Sequence, residues 1–144
     1  MWEFKATPYF TYVHDFIDAD RCPASLGGAC ATPGKQSAND RFVYLQYANH
    51  DTVLRGMDIS GKANLIKDDV WGGFTAHAIM SYVRGESANG GNLCHIMPFN
   101  TKLAIDHQRG GWESTLEMQF VDRKDDVKDI RNELETPAYI LLNA

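Results

Sequence analysis

Residues 112–120 read WESTLEMQF, and this stretch decides how the rest of the chain is interpreted. One set of alternate residues is mostly apolar, and the set between them carries carboxylate, amide or hydroxyl groups. The first set is Trp112, Ser114, Leu116, Met118 and Phe120. A period of two with unlike rows is typical of a β-strand between two unlike media. Residues 101–106 alternate in the same way and reach Trp112 through two glycines, which predicts an antiparallel hairpin with a tight turn.

The same alternation recurs along the chain and predicts about six strands. The other predicted strands cover residues 2–12, 41–66, 74–82 and 138–144. The connections at 18–40, 85–100 and 122–137 are long, whereas those at 67–73 and 109–111 are short. Strict alternation of short turns and long loops is typical of transmembrane β-barrels. We therefore predict an all-β fold, an antiparallel up-and-down meander that forms a fragment of a transmembrane barrel.

Two classes of protein fit this pattern. In a soluble small barrel that binds an apolar ligand, as lipocalins do, the apolar rows would form a core. In a membrane barrel the apolar rows would face lipid and the polar rows would line the lumen. All three tryptophans, Trp2, Trp71 and Trp112, fall at or beside the short-turn ends of predicted strands. This favours a girdle at the periplasmic interface over chance placement, because indoles prefer the membrane boundary.

Composition and motifs exclude several other functions. The net charge is −5 and no Lys/Arg cluster occurs, which argues against a nucleic-acid partner. No run of about 18 apolar residues exists, so we expect no transmembrane helix. The first residues have neither a basic region nor an apolar one, so we expect no signal peptide. No G-x-S-x-G, H-E-x-x-H or C-x-x-C motif occurs, so we expect neither an enzyme nor a bound cofactor.

Several phrases of the sequence, in this order, resemble the C-terminal barrel half of TonB-dependent outer-membrane receptors. They are KATPYF at 5–10, FIDA at 16–19, FVYLQYAN at 42–49, RGMDISG at 55–61, IMPFN at 96–100, GGW at 110–112, and 127–137 followed by YILLN at 139–143. Within the family, the two-cysteine loop and residues 45–49 are most similar to the copper-receptor branch.

The resemblance implies a 22-stranded barrel closed around an N-terminal plug, located in the bacterial outer membrane. It also implies import of an iron–siderophore complex or of copper, driven through TonB. The expected partners are outer-membrane lipid and lipopolysaccharide, the protein's own plug, TonB, and a siderophore or metal ligand. Residues 1–144 contain no plug, no TonB box and no terminal aromatic strand, so we expect them to be part of one barrel domain.

The cysteines give two hypotheses once the barrel interpretation is adopted. Cys22 and Cys30 lie in the first long loop, and outside the cell they would form a disulfide, although free thiols or metal ligation are alternatives. Cys94, His95 and Met97 offer soft ligands suited to Cu(I) within four residues. The alternative is a Cys and a Met that pack in a loop at the barrel rim.

Charged residues of the polar rows are the remaining candidates. We expect a lumen-facing row made of Asp58, Lys62, His77, Glu113 and Glu117. These side chains would contact the plug, line a substrate path, or form a wall of mutually compensating charges.

Overall fold

The computed structural model describes residues 1–31, 44–88, 90–128, 131 and 133–144. Within these ranges the chain forms one antiparallel sheet in which every strand pairs with the next one along the chain. The strands are β1 (Trp2–Arg21), β2 (Leu45–Asp68), β3 (Gly72–Ser87), β4 (Asn100–Arg109), β5 (Trp112–Val121) and β6 (Tyr139–Asn143). Two short 3-10 turns, Ala24–Leu26 and Gly28–Ala31, follow β1. The predicted all-β meander is therefore confirmed.

The described residues contain no helix that is long and apolar enough to cross a membrane.

Several predicted strand ends are wrong. β1 continues to Arg21, whereas the sequence predicts a loop at residues 18–40. β3 continues to Ser87, whereas the predicted strand ends at Tyr82. The predicted strand at 41–66 is largely matched by β2, and its predicted start at 41–43 lies outside the described residues. The strands continue beyond the segments in which apolar and polar residues alternate. The alternation ends first because the two faces of the sheet have different surroundings near the strand ends than in the middle.

Two irregularities alter which side chains share a face. The register shifts in β1 between Val13 and Phe16, and in β2 between Asn64 and Ile66. The second shift pairs Ile66 with Phe74, so Ile66, and not Leu65, follows Ala63 in the apolar row of β2. Such bulges have no reliable sequence signature, and they increase the local twist of a sheet.

The strand register separates the sheet into two faces. The polar face carries one continuous rung across all six strands: Glu3, Lys62, His77, Ala104, Glu117 and Asn143. The apolar face carries the neighbouring rung: Trp2, Ala63, Ala76, Ile105 and Leu116. Leu116 is 57% exposed, so this rung is not covered by a second layer. A soluble barrel with Met57 and Leu116 in a shared interior is therefore not formed by the described strands.

The two ends of the sheet differ. At the short-turn end, residues 69–71 and 110–111 connect strands, whereas the long-loop end carries the segments after β1, β3 and β5. Within the described ranges the buried side chains all lie at the long-loop end; they are Asp18, Ala19, Cys22, Thr52, Leu93, Val121 and Lys128. The small core of this chain is thus formed where loops pack on the sheet.

Candidate functional site

On the apolar face, apolar side chains cover only a limited length of each strand, and we call this region the apolar band. On β3 it runs from Phe74 to Tyr82, and on β5 from Trp112 to Phe120. Each of these segments has about nine residues, close to the roughly 9–11 that a tilted strand needs to cross a bilayer. This apolar band extends to β1 and β2, where Phe4, Phe10 and Met57 are also exposed.

The three tryptophans that we predicted to form a girdle lie at the short-turn end of the band. Trp2 begins β1, Trp71 lies in the turn between β2 and β3, and Trp112 begins β5. Their exposed fractions are 79%, 68% and 82%. By register, Trp2 and Trp112 share the apolar face. Exposed indoles at one edge of an apolar band are typical of a membrane interface.

The opposite edge of the band is marked by tyrosine and charge. Beyond Tyr82 on the same face come Arg84 and Glu86, and beyond Met57 comes Arg55. Glu86 Oε1 accepts hydrogen bonds from Arg84 Nε at 2.7 Å and from Arg55 Nη2 at 3.1 Å. The face that carries the apolar band is thus apolar in the middle of the strands and charged near the long loops.

The polar face is polar near the middle of the sheet and becomes apolar toward the long loops. Near the middle of the sheet it carries paired polar side chains: His77 Nε2 lies 2.6 Å from Asp106 Oδ2, and Lys102 Nζ lies 3.5 Å from Glu117 Oε1. Toward the long loops it becomes apolar, and the Leu93 and Ile96 side chains pack where a Cβ on Gly85 would lie. The loop between β3 and β4 therefore folds over the polar face.

All five predicted lumen-facing residues share this polar face. Asp58, Lys62 and His77 lie on it by the register of β2 and β3, and Glu113 and Glu117 by that of β4 and β5. Glu113 Oε1 accepts a hydrogen bond from Gln108 Nε2 at 3.2 Å. Two of the five have a side chain of opposite type beside them on this face: His77 contacts Asp106, and Glu117 contacts Lys102. Whether that face lines a lumen stays a prediction.

A buried charge cluster at the long-loop end was not predicted from the sequence. Asp18 on β1 forms ion pairs with Lys128 and, at 3.5 Å, with Arg131. The Ala19 N–H also donates to Asp18 Oδ1 at 2.7 Å. Asp18 and Lys128 are separated by 110 residues, and both are buried. Nothing local in the sequence pairs them, because the contact depends on how the loop after β5 returns across the sheet.

Glu133 forms the second part of this cluster. It accepts hydrogen bonds from Lys124 Nζ at 2.5 Å and from the backbone N–H groups of His95 and Lys128, each at 2.9 Å. Burial alone would raise the pKa of the Glu133 carboxyl, but these donors outweigh burial and lower the pKa to about 2. Glu133 therefore ties the loop after β5 to the loop after β3.

The cysteines occupy two different places. Cys22 and Cys30 are joined as a disulfide across the 3-10 turns after β1, with their Cα atoms 5.6 Å apart. Cys94 is a free thiol, and Arg131 donates a hydrogen bond to it; this bond, with the charge of Asp18, raises the pKa of the guanidinium despite burial.

The predicted copper ligands each have a different partner in the structure. Cys94 contacts Arg131, the backbone N–H of His95 binds Glu133, and Met97 Sδ accepts a hydrogen bond from Asn100 Nδ2 at 3.2 Å. Within the described ranges no group of three or more His, Cys, Asp or Glu side chains is placed to hold a metal ion. The copper hypothesis for these residues stays a prediction.

The comparison with solved structures supports the fold. One solved structure, the copper transporter OprC, superposes on 98% of this chain with a TM-score of 0.75 and 14% sequence identity. The fold is similar to that of a segment of a TonB-dependent receptor barrel. This chain spans 20% of the length of the OprC chain. No protein-family model and no curated protein sequence matches it.

Proposed function

We propose that this chain is part of the β-barrel of a TonB-dependent outer-membrane receptor that imports a metal complex. The supporting observation is the apolar band, which is bounded by Trp112 at one edge and by Tyr82 and Arg84 at the other. A face that is apolar over about nine residues of a strand and ionic beyond them matches a bilayer with water above it.

The polar face supports the same proposal. Polar and charged pairs such as His77–Asp106 and Lys102–Glu117 lie on the side opposite the apolar band, where a barrel has its aqueous or plugged lumen. Both sheet edges, β1 and β6, are left without a further partner among the described strands, and unpaired edges inside a bilayer are strongly unfavourable. We therefore propose that further strands of a larger barrel pair with both edges.

The cargo has two candidates. An iron–siderophore complex is the general expectation for the family, whereas copper is favoured by the similarity in sequence phrases and by the transporter that this fold matches. The Cys94, His95 and Met97 segment would contribute to copper capture only together with ligands from other parts of the protein. The experiment must therefore use the complete receptor.

Uptake by cells that carry or lack the complete receptor tests the proposal. We expect accumulation of either Cu or an Fe–siderophore complex to fall when the receptor gene is deleted and to fall equally when TonB is removed. Accumulation of both metals that is indifferent to the receptor would contradict the proposal. A titration of the purified receptor with Cu and with Fe complexes then decides between the two cargoes.

A further inference from the structure

We propose that the loop after β5 is a latched lid over the long-loop end of the polar face, and that the buried Asp18–Lys128 ion pair is its latch. The lid is defined here as residues 122–128, 131 and 133. The proposal rests on the proposed function, because that function makes the long-loop end the outer mouth of a barrel.

The lid crosses the sheet from its origin on β5 to β1. Asp126 Oδ1 accepts hydrogen bonds from Arg84 Nη2 on β3 at 3.3 Å and from Asn92 Nδ2 at 3.4 Å. Lys128 then reaches Asp18 on β1, two strands further across. Arg84 lies on the face of the apolar band and Asp18 on the polar face, so the segment from Asp126 to Lys128 connects the two faces of the sheet at the long-loop end.

The lid covers the polar face, which is opposite the apolar band. Asp18 pairs with Ala48, which shares the polar face with Thr52 by alternation along β2. Thr52 is fully buried, although it lies on a single-layer sheet. Asp18 and Lys128 are in contact and both buried at this end of the polar face, so the lid and β1 shield each other from solvent there.

The contacts that hold the lid are ionic. Asp18 binds Lys128 and Arg131, while Glu133 binds Lys124 and the backbone of His95. Leu134, the large apolar residue beside them, is 79% exposed and contributes little packing. A buried ion pair adds little net stability compared with apolar packing, yet the loss of one partner is strongly destabilising. A lid held in this way is shut by a few contacts and opens when one of them is removed.

Cys94 provides a native reporter of the lid, because it is a free thiol that contacts Arg131 within the cluster. The experiment measures the rate at which a membrane-impermeant maleimide labels Cys94 in the complete receptor. The latch variants are Asp18→Asn, which leaves both cations without a carboxylate, and Lys128→Met, which keeps the length of the side chain. The matched control is Asp125→Asn, which removes the exposed Arg123–Asp125 pair in the same loop.

In detergent micelles we expect Asp18→Asn to raise the labelling rate at least about tenfold, since breaking a buried pair shifts a local opening equilibrium strongly. Lys128→Met should raise it less, because Arg131 still pairs with Asp18, and Asp125→Asn should leave it unchanged. Equal rates in all four proteins, or an equal rise in the control, would overturn the latch. If Asp18→Asn does not assemble, Lys128→Met decides alone.

Labelling of intact cells separates the latch from the proposed function. Cys94 of the latch variants should react from outside the cell if the long-loop end faces outward. A rise in micelles together with no labelling of intact cells would keep the latch and contradict the outer-membrane orientation.

Discussion

The Tyr9 ring lies directly over Gly56, its register partner on the adjacent strand. A Cβ built on Gly56 would collide with the Tyr9 hydroxyl and ring and with the Tyr82 carbonyl. The position therefore requires glycine because a ring and a backbone approach it closely, as is common for glycine inside a strand. The pair fills the polar face of the sheet just where that face begins to turn apolar.

We predict that Gly56→Ala lowers the free energy of unfolding by about 1–3 kcal/mol, the usual cost of overpacking. The control is Gly61→Ala on the same strand, where the nearest atom to the new Cβ is the Glu3 carbonyl oxygen at 3.6 Å. That change should be neutral or stabilising by up to about 1 kcal/mol, since glycine weakens a strand interior. Urea unfolding of the complete protein in lipid vesicles measures both, and equal values would contradict the close approach.

The lowered pKa of Glu133 predicts how the lid responds to acid. Its pKa is lowered to about 2, so the carboxylate stabilises the folded loop fully above the ordinary glutamate pKa of 4.5, and this stabilisation is lost as the pH falls toward 2. We expect cleavage of the loop by pepsin near the exposed Leu134 to accelerate as the pH falls from about 4 to 2.

Glu133→Gln is the reference for this experiment, because it has no titrating group at that position. Its cleavage rate should be high throughout and should vary only with the activity of pepsin. A constant ratio of wild-type to variant rates across this pH range would show that Glu133 does not hold the loop.

The disulfide determines how many cysteines can react with maleimide before reduction. Within residues 1–144, with Cys22 and Cys30 paired and Cys94 free, we expect one maleimide adduct after denaturation without reductant and three after reduction. Peptide mass mapping reads both numbers. Three adducts without reductant would mean that the first loop is not oxidised, whereas loss of the single adduct in Cys94→Ser would identify the free thiol.

A charge on the apolar band should be costly. Leu116→Arg places a cation near the middle of the band, and we predict destabilisation by about 2–4 kcal/mol, as for the lipid face of membrane barrels. Thr115→Arg is the matched control, because Thr115 lies on the polar face, where its hydroxyl donates to Asp106 Oδ1 at 2.8 Å. An arginine there meets a carboxylate, so the expected loss is below about 1 kcal/mol. Similar losses for the two variants would argue against a lipid-facing band.

Much of the fold follows from local sequence. The alternation at residues 112–120 and the glycines at 110 and 111 identify β4, β5 and their turn, because strand period and tight turns depend on neighbouring residues. Both turn glycines adopt positive φ, at 54° and 85°. The extension of β1 past Asp18 was missed because that segment carries no alternation.

The candidate site was predicted only where it depends on alternation. The shared face of Lys62 and His77 and the place of Trp112 at a strand end follow from position in a strand, whereas their roles in a lumen and a girdle stay predictions. The Asp18–Lys128 pair and the contact of Cys94 with Arg131 do not, because long-range loop packing determines them. The bulge before Ile66 likewise has no local signature, and it determines which apolar side chains share a face.

The most direct test of the account is to measure what surrounds the side chains at two adjacent positions of β5. Spin labels are attached to Leu116→Cys and to Glu117→Cys in a Cys94→Ser background of the complete protein in lipid vesicles, and the accessibility of each label to oxygen and to a water-soluble nickel complex is recorded. We expect the label at 116 to be reached by oxygen and shielded from nickel, and the label at 117 to show the lower oxygen and higher nickel accessibility of a polar interior. A label at 116 that is shielded from both, or reached mainly by nickel, would contradict the assignment of the apolar face to lipid.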